Sequence, residues 1–128
     1  MNPDDLRYHK EHVWAKPSGK KVTIGITDYA QDSLGDIVYV DLPDIDTDVE
    51  ANGEIGEIES TKATSSIISP VNGRIVDVNE ELSESPETIN EDPYGKGWIA
   101  IIEVEDTSEL DELMDSSEYT KYVEEEAK

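Results

Sequence analysis

The chain contains no cysteine and no phenylalanine, and its only histidines are His9 and His12. Without cysteine there is no disulfide, no thiolate nucleophile, no Cys-ligated zinc and no iron–sulfur cluster. Two histidines three residues apart exclude a multi-histidine metal site. With no Phe, the core must rest on Ile, Val, Leu, Tyr and two Trp, within a hydrophobic fraction of 35%. Basic residues are also scarce: 10 Lys and Arg stand against 32 Asp and Glu, a formal net charge of −22 over 128 residues. Phosphate backbones are held by clustered Lys and Arg, so nucleic acid is excluded as a partner, as is docking on anionic membranes. Such a charge suits a solvent salty enough to screen it. No apolar run approaches the roughly 20 residues of a membrane span, and residues 1–7 lack a signal-peptide core. These absences read as a soluble, cytoplasmic protein of one small domain.

Among what is present, β-branched runs dominate the first two thirds of the chain. Residues 12–16 and 21–26 read as paired strands around the turn composition Pro17-Ser18-Gly19. Thr27 caps a short helix over residues 28–34 that Gly35 stops. Residues 36–42 form a strand ended by Pro43, and an acidic loop follows. Residues 54–59 and 64–69 flank Ser60-Thr61-Lys62-Ala63, which reads as a hairpin tip. Residues 74–78 and 98–104 are further strands, with a Ser-, Pro- and Asn-rich loop over 82–97 between them. The last stretch switches to helical period: Leu110, Leu113 and Met114, then Tyr119, Tyr122 and Val123. It reads as two short helices capped at Thr107 or Ser108 and at Ser116, with residues 124–126 as a frayed end. The expected class is mainly β, with one short helix after the second strand and two short helices at the C-terminus.

A repeat is visible. Gly35-Asp36-Ile37-Val38-Tyr39-Val40 parallels Gly73-Arg74-Ile75-Val76-Asp77-Val78 at an offset of 38 residues, with the Lys62 hairpin between the copies. Two similar β units suggest a sandwich with approximate two-fold symmetry. Of the motifs that carry chemistry, most are missing. There is no Gly-x-Ser-x-Gly elbow and no phosphate loop. The Asp41–Asp48 stretch lacks the central Gly and terminal Glu of a calcium loop and contains Pro43, so it reads as a solvated acidic loop. Lys62 is different. It is the only base between Val22 and Gly73, among 11 acids. A lysine at a tight hairpin tip is open to a modifying enzyme, and acylation would remove its charge and attach an arm. From the residues alone, a surface ion pair with Glu57 or Glu59 is the favoured reading.

The segment Glu59-Ser60-Thr61-Lys62-Ala63, with Ser69-Pro70-Val71-Asn72-Gly73, resembles the lipoyl-attachment motif. The usual biotinyl motif has Met on both sides of the lysine, where Thr61 and Ala63 stand. Nearly end to end, the chain resembles the glycine cleavage H-protein family. The resemblance is carried by Tyr8, Glu11-His12-x-Trp14, Gly25-Ile26-Thr27, Ala30-Gln31, Leu34-Gly35-Asp36 and Val40-Asp41-Leu42-Pro43. It continues through Val78-Asn79, Leu82-Ser83-x-Ser85-Pro86, Ile89-Asn90, Pro93-Tyr94, Gly97-Trp98, Ser108-Glu109-Leu110, Leu113-Met114 and Tyr119.

The resemblance implies a barrel-sandwich hybrid of the lipoyl-domain type. It implies one lipoyl-carrier domain over residues 1–128, with the lipoyl hairpin at about 54–69 and a helical part at about 107–126. It implies no catalysis by the chain itself, and lipoate in amide linkage on Lys62. The implied partners are glycine decarboxylase, aminomethyltransferase, dihydrolipoamide dehydrogenase, and a lipoate ligase or lipoyl transferase, met in turn by a monomer. An H-protein-like lipoyl donor in lipoate metabolism is the alternative. The resemblance further implies a cleft that shelters the loaded arm, with Glu11, His12, Asp28 and Ser66 as candidates to line it. Two departures remove acids that the family often has there: Val13 stands between His12 and Trp14, and Ser66 four residues after the lysine. His12, Trp14 and Trp98 read primarily as packing residues. The charge then becomes a solvent coat suited to a high-salt cytoplasm.

Overall fold

Alternating β-branched residues build two antiparallel sheets. A computed structural model describes residues 5–126; the ends of the 1–128 span, and with them residues 1–4 of the N-terminal segment, lie outside the described residues. The strands in chain order are β1 (Arg7–His9), β2 (Val13–Ser18), β3 (Lys21–Ile26), β4 (Ile37–Asp41), β5 (Asp48–Val49), β6 (Glu54–Ser60), β7 (Thr64–Ile68), β8 (Gly73–Val78) and β9 (Ala100–Glu103). The larger sheet runs β1-β2-β3-β9-β8-β5 and the smaller runs β4-β6-β7. Their inner faces meet in one aliphatic core. Val13, Ala15, Val22, Ile24, Ile75 and Ile102 come from the larger sheet, and Ile37, Val40, Ile58 and Ile67 from the smaller.

The 38-residue repeat has a structural counterpart. β4 slips register against β6 between Ile37 and Tyr39, and β8 slips against β9 between Ile75 and Asp77. The two bulges lie at the same place in the two copies, one in each sheet. A bulge sets two residues against one and bends the strand, so the repeated pattern encodes a repeated bend.

The short helix α1 (Asp28–Leu34) forms as expected: the Thr27 side chain accepts from the Ala30 N–H, and Gly35, at φ 81, returns its own N–H to the Gln31 carbonyl. Elsewhere the structure departs from the sequence reading. β1 was not anticipated, because three residues with one inward Tyr carry no alternation to detect. β2 begins at Val13 because His12 takes a left-handed turn conformation, φ 67. Pro17 lies inside β2, beyond the reach of β1, where its missing N–H costs no ladder bond. The expected loop over 82–97 contains two one-turn helices, α2 (Glu81–Glu84) and α3 (Thr88–Glu91), each pinned by one fully buried side chain, Leu82 and Ile89.

The C-terminal helical part is a 3-10 helix (Thr107–Glu112) followed by α4 (Ser116–Glu126). Their caps are Asp106 and Asp115 rather than Thr107, Ser108 or Ser116. Asp115 accepts from the Glu118 N–H at 2.8 Å while the Glu118 carboxylate accepts from the Asp115 N–H at 3.1 Å, a reciprocal capping box. α4 does not stop short at 124–126; it stays helical to Glu126, which holds a partner described below. Its apolar stripe covers the outer side of β1 and β2. There Leu6, Tyr8, Trp14 and Tyr119 form a second, mainly aromatic cluster, with Tyr8 and Tyr119 stacked at 4.7 Å. β2 is thus buried on both faces, Val13 and Ala15 in the aliphatic core and Trp14 in the aromatic one.

Trp14 lies across the strand pair from Gly25, and its indole occupies the space a side chain there would need. A Cβ at position 25 would sit 2.7 Å from the indole ring. Because Trp14 is only 1% exposed, it has nowhere to move. Gly25→Ala is therefore expected to destabilise the fold by about 1–3 kcal/mol, read as a lowered midpoint in urea with an unchanged slope; a wild-type midpoint would contradict this packing.

Candidate functional site

Lys62 sits at the tip of the β6–β7 hairpin and is exposed. The turn beneath it is braced by one hydroxyl. Ser60 Oγ accepts from the Lys62 and Ala63 N–H groups, at 3.3 and 3.0 Å, and donates to the Ala63 carbonyl at 3.1 Å. The Ser60 N–H also donates to Ala63 O at 2.8 Å. A further backbone bond leaves the turn itself: Thr61 N–H donates to the Asp36 carbonyl, 3.0 Å, at the start of β4. The lysine stem passes over Gly35, whose position for a Cβ lies 3.2 Å from Lys62 Cε. Glycine is required there twice over, by its positive φ and by this approach. Among the described residues Lys62 makes no ion pair; the carboxylates that do pair with a base are Asp48, with Arg74, and Glu126, with His12.

The support for this tip was not legible in the sequence. The Asn90 side chain donates from Nδ2 to the Gly35 carbonyl (2.8 Å) and to Gln31 Oε1 (2.9 Å), and its Oδ1 accepts from the Ile37 N–H (2.9 Å). It thereby joins the end of α1 to the start of β4. Asn90 stood in the family resemblance but in a stretch without period, and its role was hidden because its partners lie more than 50 residues away.

Beside the hairpin is an open cleft of about 710 Å³, lined by His9 to His12, Asn52, Thr64 to Ser66 and Ile68. Three of the four cleft candidates, Glu11, His12 and Ser66, meet here. Asp28 does not line it. It lies in the first turn of α1, where its carboxylate accepts from Gln31 Nε2 at 2.8 Å and its N–H donates to the Tyr94 hydroxyl at 3.0 Å. Val13 points into the aliphatic core and presents nothing to the cleft. Trp14 is a packing residue, donating from Nε1 to the Pro93 carbonyl at 2.9 Å, and Trp98 packs on the same aromatic cluster.

His12 is both wall and latch. Its Nδ1 lies 2.8 Å from the Tyr119 hydroxyl and its Nε2 3.0 Å from the Glu126 carboxylate. Burial lowers its pKa from the ordinary value, outweighing the upward pull of Glu126 and Glu11. The imidazole is therefore neutral at neutral pH, and its neighbours set the tautomer. Nε2–H donates to Glu126, the Tyr119 hydroxyl donates to Nδ1, and Thr27 Oγ1 donates to Tyr119 at 2.7 Å. Burial also pushes the Tyr119 hydroxyl pKa up, so that phenol keeps its proton. On the facing wall, His9 Nδ1 accepts from the Glu11 N–H, so Nε2 carries the proton donated to Asn52 Oδ1 at 2.6 Å. Asn52, in a left-handed conformation at φ 71, is the cleft residue the sequence reading missed; Tyr119 stood in the helical period, but its bond to His12 was not readable there.

Two antiparallel sheets, each carrying a bulged copy of an internal repeat, with a lysine exposed on a hairpin tip, fit a barrel-sandwich hybrid of the lipoyl-carrier class. The comparisons with known proteins carry this to a family. The model of the Glycine cleavage H-protein family matches residues 6–126. A glycine cleavage system H protein of Anaeromyxobacter sp. (strain K) is 50% identical over 123 residues, spanning 96% of each chain. The mitochondrial glycine cleavage system H protein 2 of Arabidopsis thaliana is 53% identical over 122 residues, 95% of this chain and 78% of its own. The crystal structure of the H protein from Mycobacterium marinum superposes with a TM-score of 0.82 at 38% identity, covering 93% of this chain and 96% of that one. The chain belongs to the glycine cleavage H-protein family, the non-catalytic lipoyl carriers of glycine cleavage, whose lipoate is bound covalently to a lysine. Among the described residues no helix is long and apolar enough to cross a membrane.

The His12 latch has a pH signature. Its folded pKa lies below its ordinary 6.5, so as pH falls the unfolded chain binds the proton first. Stability from the neutral latch is complete above about 6.5 and is lost as pH falls through the window beneath it. Wild type minus His12→Gln, compared by thermal midpoint across that window, should show the difference shrinking toward acid; a pH-independent difference would contradict a neutral His12.

Proposed function

We propose that Lys62 is the lysine that carries lipoate in this chain, within a single lipoyl-carrier domain spanning residues 1–128. The observation that carries this is the tip itself: the one base in an acidic stretch, exposed, on a turn locked by Ser60 and tied to β4. The residues fit the group. An amide at Nζ disrupts no ion pair among the described residues, and Gly35 leaves room for the stem. When bound, lipoate supplies a reducible dithiolane at the end of a long arm. The chain's own residues hold the root of that arm still and provide a cleft beside it, where Glu11 brings a carboxylate and Ser66 a hydroxyl. These suit a protonated amine. Asp28 stands back from that wall and acts through α1.

In this reading the arm is presented in turn to glycine decarboxylase, aminomethyltransferase and dihydrolipoamide dehydrogenase, after a lipoate ligase or lipoyl transferase has attached it. The chain works as a monomer in the cytoplasm, and its acidic coat suits a high-salt one. Intact-mass and peptide analysis of protein from its native cells should place a lipoyl group on the Lys62 peptide; an unmodified Lys62 there would sink the assignment. Lys62→Arg should abolish the glycine cleavage reaction while leaving the melting temperature within error of wild type, because the side chain packs in no core. Low salt should lower the melting temperature, since screening offsets the repulsion among 32 acids; equal midpoints in dilute buffer and in molar salt would count against the high-salt reading.

A further inference from the structure

The strand at the foot of the lysine turn exposes two consecutive apolar residues. Regular alternation would turn one of Val38 and Tyr39 inward. The bulge between Ile37 and Tyr39 turns both outward instead, 53% and 50% exposed. They lie on β4, an edge strand, and Asp36, which precedes them, holds the Lys62 turn through its carbonyl. Tyr39 stands opposite Glu59, and Asp41 opposite Glu57, so carboxylates surround the aromatic ring on the same outer face. The internal repeat supplies a comparison within the molecule. At the matching bulge of β8 the pair is Val76, half-buried, and Asp77, exposed. The side of the fold without the modified lysine thus has a charge where the lysine side has an aromatic.

An aromatic anchor inside a charged rim is the composition of an interface centre. Enzymes that use the arm can meet its far end at a distance from the root. The enzyme that attaches it cannot, because its acyl carbon must come within bonding distance of Lys62 Nζ. Its mouth must therefore cover residues one or two pairs from the tip. Resting on the reading that Lys62 is the lipoyl lysine, we propose that Val38 and Tyr39, ringed by Asp36, Asp41, Glu57 and Glu59, are the docking surface for the lipoyl-attaching enzyme, which meets them with an apolar pocket and a Lys- and Arg-rich rim. In the step so positioned, deprotonated Nζ attacks the carbonyl carbon of an activated lipoyl adenylate. The amide N–C bond forms, the C–O bond to AMP breaks, AMP leaves with that electron pair, and the nitrogen releases one proton.

The test uses the full-length apo-protein with purified lipoate ligase, lipoate and ATP, and reads the mass increment at the Lys62 peptide over time. Tyr39→Thr, which keeps a strand-forming residue, should lower kcat/KM for attachment about tenfold, mainly through KM. Tyr39→Phe should stay near wild type because the ring remains. Neutralising Asp41 and Glu57 together should lower kcat/KM and weaken its dependence on salt. Ile45→Ser removes another exposed apolar residue, 45% exposed on the loop that follows β4, and should change nothing. Circular dichroism and melting confirm that each variant folds; if Tyr39→Thr does not, Val38→Thr carries the same comparison. Wild-type kinetics in the Tyr39 and Val38 variants, or an equal loss in Ile45→Ser, would overturn the proposal. So would normal attachment with impaired turnover by glycine decarboxylase, which would assign the patch to an arm-using enzyme. A dimer that Tyr39→Thr splits would assign it to a second copy of the chain and overturn it likewise. Failure of the underlying reading looks different: the wild type takes up no lipoyl group, or takes it at another lysine.

Discussion

A backbone hydrogen bond from the Thr61 N–H to the Asp36 carbonyl carries the β4–β6 pairing into the lysine turn and ties that turn to β4. Most of the features around the site are linked to it in series. Asp36 follows Gly35, whose carbonyl is held by Asn90, and Asn90 also holds Gln31 in α1. α1 begins at Thr27, whose hydroxyl serves both the Ala30 N–H and Tyr119. Tyr119 holds His12, which lines the cleft and reaches Glu126 at the end of α4. The tip, the first helix, the cleft wall and the C-terminal helix are therefore one hydrogen-bonded path. Each member is satisfied, so no buried polar side chain is orphaned among the described residues. A satisfied path of this kind gives a unique geometry more than it gives energy.

The aromatic cluster explains why that path needs α4 at all. β1 and β2 turn Tyr8 and Trp14 away from the aliphatic core. A sheet face with two large rings would otherwise meet water. α4 covers them with Tyr119, and the same residue that buries the ring surface turns its hydroxyl toward Thr27 and His12. Burial and positioning are done by one side chain, so the helix serves the cleft through packing. The acids play the opposite part. They remain on the surface, and His12 and Arg74 are the bases they pair with at salt-bridge distance among the described residues. The charge is solvated rather than neutralised, and the fold is held by its two clusters.

Much of this was readable from local pattern. The Gly-x-Ile-Val-x-Val repeat foretold two equivalent β units, because strand pattern is local; the bulge each copy carries appears only in the fold. Thr27 and Gly35 bounded α1 for the same reason: a cap is made within four residues. Lys62 stood out by count and by its turn. What stayed hidden is long-range. Asn90 sits in a stretch without period, and only the folded chain brings it to Gly35. β1 has three residues and one inward side chain. The cleft required His12 and Ser66 to meet across 54 positions of sequence, and the residues that set its shape, Asn52 and Tyr119, act through partners 43 and 107 positions away. Asp28 carries the right chemistry for a cleft wall, yet α1 directs it to Gln31 and Tyr94 instead.

The location of stiffness follows from the task of a carrier. An arm that must reach several active sites has to be free at its far end, and the search is shortened if its root does not wander. Flexibility therefore belongs to the attached group and rigidity to the turn. The turn meets this without burying the lysine. Ser60 closes it from within and Asp36 from outside, while small residues flank the base and Gly35 clears its stem. A bulky or β-branched residue at position 35 would be strained by the backbone and would press on Lys62 Cε. The glycine that ends a helix is thus also the one that lets the lysine stand clear. Helix termination and presentation of Lys62 are met by the same missing Cβ.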